Sequence, residues 1–140
     1  GSEMCIRDRL RTRGVTLSTM EGYRKGWAVR YLREAKAELI AAKKTPYMAT
    51  GFIMEALSKA QAAIYYSLGD PAFIAPIIQE AVQTQSSVEE PILSFLVEIE
   101  KSIQQLTHNP KVDTEQTMEH VNDILEFTSE IVELFGCESS

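Results

Sequence analysis

Reactive and metal-binding side chains are scarce in this chain of 140 residues: two cysteines, Cys5 and Cys137, and two histidines, His108 and His120. So few thiols give no disulfide framework and no cysteine-built zinc site. A di-metal site in a helical bundle needs Glu-x-x-His on two of its helices. Gln105 and Thr117 stand three residues before the histidines, so that motif is missing. Glu119, His120 and Asp123 read as a solvated polar face. No G-x-S-x-G, H-E-x-x-H or glycine-rich phosphate loop occurs, which leaves no catalytic motif to assign. No enzyme activity, metal or cofactor is therefore expected. No apolar run reaches the roughly 18 residues of a membrane span, and no signal peptide is evident. The expectation is a cytoplasmic protein with no membrane partner.

Positive charge is confined to the first third. Residues 1–46 hold 11 Lys+Arg against 5 Asp+Glu, whereas residues 47–140 hold 3 against 15. No arginine follows Arg33. The net charge of −6 disfavours non-specific nucleic-acid binding. Only the first helix offers a basic strip, and Arg30, Arg33 and Lys36 are its candidate anion-binding residues. Glu34, Glu38 and acidic later helices can neutralise that strip.

What is abundant is helical periodicity, and no strand pattern competes with it. Ala28, Tyr31, Leu32, Ala35, Leu39 and Ala42 recur at three- and four-residue steps, the mark of one buried helix face. Ser18 and Glu21 have capping-box spacing. Thr45 and Pro46 read as cap and first residue of a second helix. Its inward side is Phe52, Ile53, Ala56, Leu57, Ala60, Ala63, Ile64 and Ser67. Gly51 within it suggests a close helix approach, and Gly69 a left-handed helix end. Of the adjacent Tyr65 and Tyr66, one fits the core and the other a packing edge; Trp27 raises the same question.

Asp70 and Pro71 restart the chain as a shorter helix with Phe73, Ile74, Ile77, Ile78, Ala81 and Val82 on its apolar side. Pro76 predicts a kink or a broken start there. A further helix is expected from about Ser87, with Glu90 three residues on and Pro91 in its first turn. Its stripe is Ile92, Phe95, Leu96, Ile99, Ile103 and Leu106. Asp113 and Gln116 frame the last helix, with Met118, Val121, Leu125, Ile131, Val132 and Phe135 inward and Gly136 at its end. The fold expected is all-α: an up-and-down antiparallel bundle of four long helices plus one short helix.

The first nine residues, "GSEMCIRDR", belong to none of this. Back-translation as GGC-TCG-GAG-ATG-TGT-ATA-AGA-GAC-AG resembles a transposase-type sequencing adapter in one reading frame. The expectation is that residues 1–9 are an adapter-derived segment of environmental shotgun origin, residues 10–19 an N-terminal extension that is either noise upstream of a start at Met20 or a genuine part of a larger protein, and residues 20–140 a single bundle domain. Segments of that kind are set aside before fold reasoning. Cys137 then stands alone as an incidental terminal thiol.

Residues 28–70 also carry a family likeness. "YLREAKAELIAAKK" followed by "ATGFIMEALSKAQAAIYYSLGDP" resembles the first two helices of HEPN-like domains and of archaeal helical proteins of similar size, chiefly in Glu55-Ala56-Leu57-Ser58-Lys59-Ala60. The resemblance implies a small helical bundle, often dimeric, acting as a ribonuclease or as a nucleotide-binding partner protein. The nuclease members carry Arg followed by His after four to six residues. With no arginine after Arg33, neither histidine completes that motif, so nuclease activity does not carry over. Two functions remain as expectations. One is a non-catalytic protein-interaction or dimerisation module, binding a protein partner or a second copy. The other is a HEPN-like nucleotide- or RNA-binding protein without the nuclease motif.

Overall fold

A computed structural model describes residues 19–135 except 110 and 112; the side chains of residues 19–21 are outside the description. Ser18, Gly136 and Cys137, and with them the adapter-like segment and the expected terminal helix stop, lie outside the described residues. The described chain is all-α. It contains α1 (Thr19–Lys44), a 3-10 turn (Pro46–Met48), α2 (Ala49–Leu68), α3 (Pro71–Thr84), α4 (Pro91–His108) and α5 (Thr114–Phe135). The bundle is organised around α2, which packs on α1 most extensively and also meets α5, α4 and α3.

Small residues explain the tightness of the α1–α2 pair. Ala28, Ala35 and Ala42 recur every seven residues on α1, and Ala49, Ala56 and Ala63 do so on α2. All six are buried. Alanine leaves little between two backbones, so the axes can approach closely. Leu32, Leu39, Ile53, Leu57 and Ile64 complete the buried face. The helices run antiparallel. Lys59 early in the second half of α2 meets Glu38 and Glu34, while Tyr66, a turn or two later, stacks on Tyr31 and Trp27.

The helix starts follow local chemistry, with departures from the sequence expectation. Asp70 caps α3, its Oδ1 accepting from the Ala72 amide at 2.9 Å. Asp113 Oδ1 accepts from the amides of Glu115 and Gln116 at 3.1 and 3.3 Å, as the last helix requires. Thr45 does not cap α2: its side chain makes no cap bond, and Pro46 opens the 3-10 turn instead. The fourth helix starts at Pro91, not near Ser87. A residue before proline is steered out of the helical region, so Glu90 is extended (φ −68°, ψ 128°) and is itself the cap, accepting from the Leu93 amide.

The α2 end also differs. Gly69 is extended (φ 165°), and the left-handed residue is Gln85 at φ 54°, where Ser86 donates back to the Ala81 carbonyl. Gly51 makes no close approach; a Cβ built there meets nothing within 4 Å. Helix α3 continues through Pro76 without a break.

Two expected core residues of α3 lie outside. Phe73 and Ile77 are 73% and 58% exposed, while Ile78 and Ala81 are buried. Helix α3 rests chiefly on α4, with a lesser contact to α2, so its Ile74, Ile78 and Ala81 side is covered and the neighbouring edge is not. Phe135 likewise stands partly open at the end of α5.

Candidate functional site

The three basic residues singled out on α1 do not converge. Arg30 Nε donates to Glu34 Oε2 at 3.0 Å, and its guanidinium lies 5.0 Å from the Trp27 ring centroid, within cation–π range. Glu34 also approaches Lys59 Nζ at 3.4 Å, and Lys59 donates to Glu38 at 2.8 Å. Arg30, Glu34, Lys59 and Glu38 thus form an alternating chain of charge along one edge of the α1–α2 seam. The Arg30 hydrogen bond, aided by Lys59, holds the Glu34 carboxyl below its ordinary value against the opposing effect of burial. The Glu38 hydrogen bond, with Glu34 behind it, raises the Lys59 ammonium above its own. Arg33 is exposed.

One end of the same seam is aromatic. Tyr66 stacks on Trp27 and Tyr31 with centroids 6.2 and 5.8 Å away, and Tyr23 meets Trp27 edge-on. Burial first, then the phenols of Tyr31 and Tyr23 and the Asp70 carboxylate, push the Tyr66 phenol upward. Its neighbour Tyr65 is in the core, so the adjacent tyrosines divide between core and packing edge. Burial, followed by the nearby Glu100, drives the Tyr65 phenol far above its ordinary 10.0. Gln61 and Gln104 donate to the two oxygens of Glu100 at 2.8 and 3.2 Å, which ties α2 to α4.

Lys36 belongs to a different place, a groove of about 560 Å³ between α1 and α5. The α1 wall is Lys36, Ile40 and Lys43; the α5 wall is Glu126, Glu130 and Glu133; Leu39 and Leu125 lie beneath. Ile40 is 53% exposed. No ion pair within 4.0 Å joins these lysines to these glutamates. Lys43 was legible only as one more cation on α1, and the glutamates only as acidic surface. The adjacency of α1 and α5 comes from the packing.

The histidines stay apart. His108 Nδ1 donates to the Gln104 carbonyl at 2.8 Å, capping its own helix end, and His120 is exposed. Among the described residues no three His, Cys, Asp or Glu side chains gather as a metal site. No helix among them is long and apolar enough to cross a membrane. No family model, curated protein or solved structure matches the chain.

Proposed function

We propose that the protein is a non-catalytic interaction module that docks protein surface in the α1–α5 groove, with dimerisation as its working form. One observation carries this reading. Among the described residues no ion pair joins the two lysines of one wall to the three glutamates of the other, and Ile40 stands exposed between the lysines, an apolar side chain with charged neighbours such as protein interfaces use. A nucleotide- or RNA-binding role, the HEPN-like alternative, would draw on Lys36 and Lys43 in the same groove. The glutamates opposite repel phosphate, and Arg30 is already held by Glu34 and Trp27.

Light scattering over a wide concentration range, combined with amide exchange, tests the main reading. The expected result is a mass that rises toward twice the monomer, with slowed exchange in α1 and α5. A constant monomer mass with no change in exchange overturns it.

A further inference from the structure

The walls of the groove carry opposite charge in matched rows. Lys36 and Lys43 are seven residues apart on α1, and Glu126 and Glu133 are seven residues apart on α5. At the helical rise each row spans about 10.5 Å. Glu130 lies between the outer glutamates, and Ile40 between the lysines.

We propose that this groove is one half of a two-fold interface between two copies of the chain, the lysine row of each copy meeting the glutamate row of the other. The proposal rests on the reading of the groove as a protein-docking surface and names its occupant. A two-fold axis lying along the groove exchanges its left and right walls while keeping height along them. A positive row then faces a negative row twice, and equal row lengths let both contacts form together. Ile40, which lies in the lysine row, is then covered by the glutamate wall of the other copy and loses its exposure. An isologous contact needs such a self-complementary patch. A foreign partner would have to supply the same two rows with their signs exchanged, whereas a second copy already has them. Within one chain the rows do not satisfy each other, since no lysine of the groove comes within 4.0 Å of a glutamate there.

Other exposed features carry less. The aromatic stack is satisfied within the chain. The Phe73–Ile77 edge of α3 is apolar and open, but it has no charge pattern that selects an occupant.

Sedimentation of the full chain tests the proposal with four double variants, one of them a control. Circular dichroism checks that each is folded. Lys36→Glu/Lys43→Glu makes both rows negative, and Glu126→Lys/Glu133→Lys makes the outer positions of both rows positive. Each alone is expected to weaken dimerisation by about tenfold or more through like-charge contacts. An equal mixture of the two is expected to regain dimers, because each heterodimeric contact again pairs opposite signs. Lys36→Gln/Lys43→Gln, which removes attraction without adding repulsion and is gentler on folding, is expected to weaken the dimer by less. Phe73→Ser/Ile77→Ser is the control and is expected to leave it unchanged. A wild-type dimer that ignores the charge reversals overturns the two-fold pairing and leaves the docking reading standing. Reversals that dissociate the dimer without rescue on mixing also overturn it. Loss of the dimer in the α3 control moves the interface to α3. A wild-type monomer removes both the pairing and the reading beneath it.

Discussion

The α1–α2 hairpin and helix α3 use apolar residues in opposite ways. The hairpin buries mostly small ones: Ala35, Ala42, Ala56, Ala60 and Ala63 are fully enclosed. Helix α3 has larger ones and leaves two of them open, Phe73 and Ile77. Burial depends on what lies opposite a side chain more than on its hydrophobicity. The second helix has neighbours on several sides; the third rests on α4 and touches only part of α2.

The largest effect expected is in the hairpin. Ile53 is fully buried at the centre of the bundle. Ile53→Ala is expected to cost about 2–5 kcal/mol, the transfer energy of the lost carbons plus the cavity they leave. Urea unfolding measures it through the midpoint at unchanged slope. A loss below that range would mean that the hairpin interior is as loosely covered as α3.

The opposite insult probes the seam itself. Ala56, Lys59, Ala63 and Tyr66 share one side of α2, and Lys59 and Tyr66 touch α1. Ala56→Leu therefore forces a branched side chain between α1 and α2. The expected cost is about 1–3 kcal/mol from overpacking, although leucine is more hydrophobic than alanine. Thermal unfolding should show a lower midpoint. A neutral or stabilising result would mean that the alanines occupy slack space.

Much of this contrast is visible along the chain, and part of it is not. The repeats of Ala28, Ala35 and Ala42 and of Ile53, Ala56 and Ala60 mark buried faces because helical period maps directly onto one side of a cylinder. Asp70 before Pro71 marks a helix start for equally local reasons. Phe73 and Ile77 look like core by the same rule, yet periodicity cannot count the neighbours a helix will have. Glu90 acts as a cap because of Pro91, a local effect that outweighs the Ser-x-x-Glu spacing. The groove needed more than local information. Lys36 was legible as a cation, but Glu126, Glu130 and Glu133 become its opposite wall only when α5 packs beside α1.

A smaller effect separates the hairpin's charged edge from its alanine interior. Lys59 bridges Glu34 and Glu38. Lys59→Ala is expected to cost on the order of 1 kcal/mol at neutral pH, given that the pair is partly solvated. Its pH dependence has two limbs. The Lys59 ammonium is raised above 10.5 in the folded state, so its stabilisation is complete below 10.5 and fades as pH climbs through the higher folded value. The Glu34 carboxyl is lowered below 4.5, so its contribution is present above 4.5 and fades as pH falls through the lower folded value. Denaturation across pH should show the wild type converging on the variant at both extremes. A constant gap would assign Lys59 to packing by its aliphatic stem.

The smallest effect is expected where the sequence pattern points to core. Ile77→Ala removes the same carbons as Ile53→Ala, but from a residue 58% exposed. Little apolar area returns to water and no cavity forms, so the change should stay within about 0.5 kcal/mol of wild type. Alanine's better helix propensity offsets part of the loss, by about a few tenths of a kcal/mol. Urea midpoints for the two isoleucine variants give the contrast directly. A cost at Ile77 approaching that at Ile53 would show that α3 has a partner surface covering its open edge, and the asymmetry between the two regions would then belong to the isolated chain alone.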